Sequence, residues 1–443
     1  MLLPQFRDPI HGFIEVSDLE LKIVDSAPFQ RLRNIKQLAT TYLVYHGAEH
    51  TRFGHSLGVM HLTTRAFNSA LDNYEKANDC KLFDDLKREW YAQILRLIAL
   101  THDLGHAPFS HASEALFGGE LEHEHFTQKI IYETVISDYI CEIGREFMEK
   151  HHVGDEYAIT PELLWLIYHQ ENAELDEKYV MPDYKFLKSF LDSELDCDKM
   201  DYLLRDSYYC GVNYGKYDLN RLLCSLTVYH NAEHNILQLA IERGGVPAFE
   251  EFVIARYFMF IQVYFHKTRR YLDKLLVSCI ATVLKGGIYP ADIDEYLKLD
   301  DDVVYDRIKT AAQNNVDAKQ FINRKVMSCV YESAAHSSSA ADADVFNIVK
   351  RKLKNISGCN VLDDYASKMA HKIPMLEQYD ADSGKGIPII LRHRDKPTSL
   401  SEESLLLQSL IKPINIKRLY VDKEHVEQAR QVVRDILQGE GDD

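Results

Sequence analysis

A mainly α-helical chain, with a small hairpin insertion and a C-terminal α+β region, is what the sequence predicts, and three observations carry that reading. Over most of the first 285 residues apolar side chains recur at three and four positions with few breakers, the period of amphipathic helices. Residues 226–241 (LTVYHNAEHNILQLAI) leave that period, and Asn-Ala-Glu-His-Asn between β-prone flanks reads as a hairpin. Residues 345–443 offer two short apolar runs, 387–391 and 414–421, and then helical spacing over 423–437.

In chain order, Val59, Leu62, Ala66, Phe67 and Ala70 mark the apolar stripe of one long helix. Trp90, Ile94, Leu97 and Ile98 mark a second, running to Asp103 and ended by Gly105 and Pro108. Past the hairpin a long helix is expected over 248–276, and the small polar stretch 333–344 (SAAHSSSAADAD) reads as a loop or linker. No solenoid repeat is present. The expected division is a core over 1–285, a helical extension over 286–333, a linker over 334–344 and a C-terminal region over 345–443 acting as a lid or assembly element.

A chain of 443 residues exceeds one ordinary core, and 46% hydrophobic with 27% charged residues is the balance of a folded soluble protein. The net charge of −17 argues against nucleic acid as the main partner, because such binding needs a broad basic surface. Eight scattered cysteines without a C-x-x-C pair fit a reducing cytoplasm. The N-terminal apolar stretch is too short for a signal peptide, and no run of about 18 apolar residues suggests a membrane span.

Histidines are concentrated: nine of the 20 fall between residues 46 and 125. The densest piece, Thr101-His102-Asp103-Leu104-Gly105-His106-Ala107-Pro108-Phe109-Ser110-His111, closes the second helix. A His followed by an Asp at a helix end offers one ion an imidazole and a carboxylate, provided the ion lies between two directions about 100° apart. Such mixed ligands suit a catalytic divalent metal with open positions. Two further ligands must come from elsewhere, and segments 50–58 (HTRFGHSLG) and 194–202 (ELDCDKMDY) can supply them.

His55, then His102-Asp103, then a distal Asp198 resembles the H…HD…D signature of HD-domain phosphohydrolases. Asp8-Pro9-Ile10-His11-Gly12, Phe29-Gln30-Arg31-Leu32-Arg33, His102 to His111 and Asp198-Lys199-Met200-Asp201-Tyr202 resemble the HD-domain deoxynucleoside triphosphate triphosphohydrolases. The likeness is to the branch with the animal sterile-alpha-motif and HD-domain enzyme and its bacterial relatives, and it covers about residues 8–285. The first motif begins at Asp8, so no sterile-alpha-motif module is expected before it.

The resemblance implies a metal held by His55, His102, Asp103 and Asp198, a divalent transition ion such as Mn, Fe, Zn or Ni, with Mg on the substrate phosphates. On a six-coordinate ion four protein ligands would leave room for a water and a phosphate oxygen. His111 is implied near the scissile bond, with His106, His123 and Glu124 in the supporting network; which histidine donates the proton stays open. Arg52, Lys199 and Arg256 are the cations nominated for the triphosphate. Asp198, Tyr202 and Asp206 recur every four residues, as do Arg256, Phe260 and Tyr264, placing each set along one side of a helix. By the resemblance Tyr202, Asp206 and Tyr264 hold the sugar, while Gln37 and Leu38 crowd it and favour deoxyribose. Phe260 stands where the animal enzyme has a histidine. Asp25, Gln30 and Arg33 match positions that there recognise a regulatory guanine nucleotide, although Pro4 and Gln5 depart from the pattern.

The leading expectation is therefore cytoplasmic hydrolysis of deoxynucleoside triphosphates to deoxynucleoside and inorganic triphosphate, by metal-activated water at the α-phosphorus. A second reading keeps the metal site but takes another nucleotide or a phosphodiester. A third is a nucleotide-sensing assembly protein. By resemblance alone the chain is a homo-oligomer, tetramer or dimer.

Overall fold

The computed structural model describes residues 3–119, 121–169, 182–337, 339–373, 386–394 and 396–439. The helices that build its centre are α1 (Arg52–Asn78), α2 (Asp85–Thr101), α3 (His123–Glu133), α4 (Cys197–Cys210), α5 (Val246–Met259), α6 (Lys267–Val283) and α7 (Asp301–Ala311). Val59, Leu62, Ala66, Phe67 and Ala70 of α1 and Ile94, Leu97 and Ile98 of α2 are all buried, which is why the two helices pack along each other. Burying each such aliphatic side chain contributes about 1.5–3 kcal/mol. Asp84 caps α2, accepting from the Lys87 amide.

Close approach of α1 to α4 depends on Gly58: a Cβ there would stand 2.0 Å from an Asp201 carboxylate oxygen. Helix α4 starts on Asp196, whose side chain accepts from the Lys199 amide, and stops at Gly211 in the left-handed region. The expected continuous helix over 248–276 is instead interrupted. α5 ends at Met259, a π-helical turn occupies Phe260–Tyr264, and α6 restarts at Lys267 under a His266 cap. Such a bulge re-aims side chains within a helix and is frequent at functional sites.

Three small sheets accompany the helices. β1 (Gln5–Asp8) and β2 (Gly12–Glu15) form a hairpin; β3 (Leu226–Asn231) and β4 (Ile236–Glu242) form the expected one. β4 is extended by a parallel strand β7 (Pro388–Ile390) and then β8 (Thr398–Ser399), so the insertion is stitched to the C-terminal region rather than standing alone. β5 (Ser328–Glu332), β9 (Ile414–Val421) and β6 (Val361–Lys368) make a third sheet in the order β5-β9-β6. Two further helices, α8 (Ala340–Lys354) and α9 (Val426–Leu437), pack together beside it. α8 begins inside the polar stretch 333–344, because Ser339 and Asp342 form a capping box; Ser338 lies outside the described residues.

One buried carboxylate joins parts far apart in sequence. Asp301, the first residue of α7, accepts from the Phe109 amide at 2.6 Å and from the Lys36 amide at 2.9 Å. Burial pushes it up to about 7, against the pull of those two amides.

Candidate active site

His55, on the first turns of α1, sits between two aspartates of α4: its Nδ1 lies 2.8 Å from Asp201 and its Nε2 2.9 Å from Asp198. Asp201 also takes His11 at 2.6 Å and two bonds from Arg205. It is fully buried, and although burial opposes its charge, Arg205 and the two histidines hold it well below the usual carboxylate range. A fixed anion at Nδ1 leaves the Nε2 lone pair of His55 pointing inward. His102, just past the end of α2, is oriented the same way by a different partner, its Nδ1 donating to the Ala99 carbonyl at 2.7 Å.

Among the described residues its buried Nε2 has no hydrogen-bond partner; it lies 3.3 Å from Asp103 and 3.9 Å from Asp198. Asp103 in turn lies 3.7 Å from His55 Nε2. Ligand atoms of His55, His102 and Asp198 all fall within 4.8 Å of one another. The donor set is two imidazoles, each with its other nitrogen tied down, and two carboxylates; it fits a divalent metal. Burial disfavours a charged His55, but Asp198, Asp201 and Asp103 overcome it and raise the ring to about 10, so the electrostatic field here calls for a cation.

Asp103 also joins the metal-type cluster to a second group of histidines. One of its oxygens receives Arg52 at 2.6 Å; the other lies 3.1 Å from His106 Nε2. His106 is buried and stacks on His123 with centroids 3.9 Å apart, and burial with the charges of Arg52 and His123 depresses it, keeping it neutral. The hub of this group is Glu114. One carboxylate oxygen lies 2.9 Å from His111 Nδ1, 2.9 Å from His123 Nδ1 and 3.6 Å from His106 Nδ1. Glu124, the carboxylate that the motif nominated, has its buried Oε2 3.3 Å from His123 Nδ1, and that oxygen accepts no hydrogen bond among the described residues.

The loop carrying these residues is shaped by Gly105, where a Cβ would meet the His123 carbonyl at 2.1 Å, and by Phe109 and Ser110, both left-handed at φ 61° and 54°. Two such non-glycine residues cost on the order of 1–3 kcal/mol each. The Asp301 bond to the Phe109 amide and the Ser110 hydroxyl, which donates to the Lys36 carbonyl at 2.7 Å and accepts from Arg52, hold the loop there.

A cavity of about 420 Å³ opens beside both clusters. Asp198, Arg52 and His111 are in its wall, as are Gln37, Leu38, Lys199, Tyr202, Asp206, Arg256 and Tyr264. Two of the three residues nominated for the sugar are bonded directly, Tyr264 donating to Asp206 at 2.7 Å, with His50 on the other Asp206 oxygen at 2.7 Å. Phe260 lines the wall and stands edge-on to Tyr264.

Of the three nominated regulatory residues, Arg33 donates to Gln30 at 2.8 Å and lies over Phe53. Asp25 is exposed, and its side chain makes no hydrogen bond or ion pair among the described residues. Sequence reasoning missed Asp201, Glu114 and His50, and the cavity residues Arg269, Arg270 and Lys368. Asp201 was findable, one helical turn after Asp198; Glu114 and Lys368 carry no such signal.

Residues 52–205 match the HD domain and 217–441 the HD associated region. The chain belongs to the HD-domain family. An uncharacterized protein of Bacillus subtilis is 32% identical to it over 350 residues, 73% of this chain and 71% of the relative. A crystal structure of a hypothetical Aquifex aeolicus protein superposes with a TM-score of 0.75 at 32% identity, covering 98% of this chain and all of the other. The deoxynucleoside triphosphate triphosphohydrolase SAMHD1 of Danio rerio is 27% identical over 368 residues, 77% of this chain but only 57% of that enzyme. This HD protein is thus a phosphohydrolase of the HD superfamily with His and Asp groups that could hold a divalent metal. Among the described residues no helix is long and apolar enough to cross a membrane.

Proposed function

We propose that the protein hydrolyses deoxynucleoside triphosphates to deoxynucleoside and inorganic triphosphate by attack of water at the α-phosphorus. The observation that carries this reading is the single cavity whose wall holds a metal-ligand carboxylate, a histidine backed by a carboxylate, a row of cations and the bonded Asp206–Tyr264 pair. Its volume of about 420 Å³ suits a nucleotide-sized ligand.

In this reading His55, His102, Asp103 and Asp198 hold the metal, which when bound supplies Lewis acidity and a water acidic enough to attack near neutral pH. Arg52, fixed by Asp103 and Ser110, neutralises charge on the α-phosphoryl oxygens. His111 holds the proton for the leaving 5′-oxygen at Nε2, while its Nδ1 is oriented by Glu114. His106, His123 and Glu124 keep Glu114 and the loop in register. Lys199 and Arg256 bind the other phosphates. Asp206 accepts from the sugar hydroxyl, and buried Leu38 leaves no room for a second one. The buried, unpartnered Gln37 carbonyl oxygen supports a ligand donor at the same end. Residues beyond 345 serve as a wall or lid, and the Gln30–Arg33 pair as part of a guanine nucleotide site in a homo-oligomer.

The test is product analysis. Purified protein is incubated with each deoxynucleotide and its ribonucleotide counterpart, with Mn or Mg and with or without guanine nucleotide. Deoxynucleoside and triphosphate in equal amounts are expected; monophosphate with pyrophosphate overturns the reading.

A further inference from the structure

Six cations line the cavity, and five of them already have a carboxylate. Arg52 pairs with Asp103, Lys199 with Asp196, Arg256 with Glu194, Arg269 with Asp273 and Arg270 with Asp364. Lys368, at the end of β6 in the HD associated region, has none within ion-pair distance among the described residues. Although Lys368 keeps an exposed surface, partial loss of solvent and the like charges of Arg256, Lys372 and Lys199 pull its ammonium below the usual range, with Glu194 opposing them.

The position is nevertheless fixed. Lys368 pairs in register with Ile414 of β9, and Asp364, four residues earlier on the same face of the strand, receives two bonds from Arg270 of α6. Two residues later, the Ala370 carbonyl accepts from Arg256 at 3.0 Å. Two arginines of the cavity thus hold the chain on either side of Lys368, and the Nε of Arg256 is itself buried with no hydrogen-bond partner among the described residues. A cation in the cavity wall with no carboxylate of its own, beside cations that each have one, leaves its anionic partner to be supplied by the ligand.

The geometry points to Lys368 as a substrate-binding residue, supplied by the HD associated region, for the phosphates distal to the scissile bond. It shares the cavity wall with Lys199 and Arg256, the cations proposed above for the other phosphates, while Arg52 is tied to Asp103 beside the metal ligands. The ligand class is a linear triphosphate group. This deepens the proposed function and rests on it for the identity of the nucleoside end.

The experiment compares the metal-loaded wild-type enzyme with Lys368→Ala and Lys368→Arg on a deoxynucleoside triphosphate and on bis(4-nitrophenyl) phosphate, which has no distal phosphates. Expected for Lys368→Ala is a KM for the triphosphate raised about tenfold, the loss of one charge-assisted contact, with kcat within about threefold. The diester KM should rise by less than about twofold, and arginine should restore the triphosphate KM. An equal rise for both substrates, or none for the triphosphate, overturns the inference. If the wild type cleaves no deoxynucleotide, calorimetric binding of inorganic triphosphate decides separately. Weakening by Lys368→Ala then sustains the polyphosphate site while the proposed function falls, and unchanged binding overturns the site as well.

Discussion

Around His55 and His102 each ring has one nitrogen committed, to Asp201 or to the Ala99 carbonyl, and the other turned toward a common point. Around His111 and His123 the rings share one carboxylate, Glu114, and the His111 side chain is 64% exposed to the cavity while that of His55 is 1% exposed. Both clusters touch Asp103. The first arrangement fixes two buried rings beside an Asp198 carboxylate that opens to the cavity, which suits retention of an ion. The second leaves a ring edge in contact with solvent and a shared anion behind it, which is what proton exchange requires. The difference teaches that histidine density in a sequence marks a site without dividing it: the division is made by what stands behind each ring.

Substitutions can break that contrast, and the largest effect belongs to the buried cluster. Asp198→Ala should abolish metal-dependent turnover and bound metal together while circular dichroism shows the fold retained; retained metal with full turnover would remove Asp198 from the ligand set. His111→Ala should lower kcat by roughly 10²–10⁴ with metal content unchanged, since only a proton-transfer group is lost. Metal loss in that variant, measured by atomic emission, would merge the two clusters into one ion site. Asp201→Asn should weaken metal affinity by about 10–100-fold, because the His55 ring is no longer held. It should also destabilise the protein, because Arg205 then keeps only Asp8 as a partner.

The smallest effect concerns pH. Burial works against a charged Glu114, but the hydrogen bonds of His111 and His123 depress it; its contribution is present above its ordinary 4.5 and lost as pH falls through the folded value. Burial likewise works against a charged His123, but Glu114 raises it above 6.5; that contribution is full below 6.5 and lost as pH rises through the folded value. Glu114→Gln should therefore lower the melting temperature most between pH 4.5 and 6.5, on the order of 1–2 °C, and less in alkali. A loss constant across pH would show that Glu114 acts by packing alone.

The helical core was legible because its apolar stripes are long: every residue named for α1 is buried where the period placed it. The His102-Asp103 pair was legible because a dipeptide at a helix end is local. What escaped reading depends on contacts between distant segments. Glu114 follows His111 by three residues in an unremarkable alanine-rich stretch, and only the fold brings His123 to its other side. β7 joins β4 across about 150 residues, and no pattern in a three-residue strand could announce a parallel partner. The π turn at Phe260–Tyr264 is invisible to a four-residue period, yet Arg256, Phe260 and Tyr264 all reach the cavity wall.

Asp301 grips the backbone of Lys36 with one oxygen and that of Phe109 with the other. The first loop leads into Gln37 and Leu38, the second into Ser110 and His111, and all four line the cavity. Both therefore hang from one pin. Under the proposed function, remodelling residues 36–38 to admit larger nucleosides is expected to shift the loop that carries His111 as well, coupling substrate breadth to turnover. Changes in the two loops will combine non-additively, and a directed-evolution campaign that varies only one of them will meet its ceiling early.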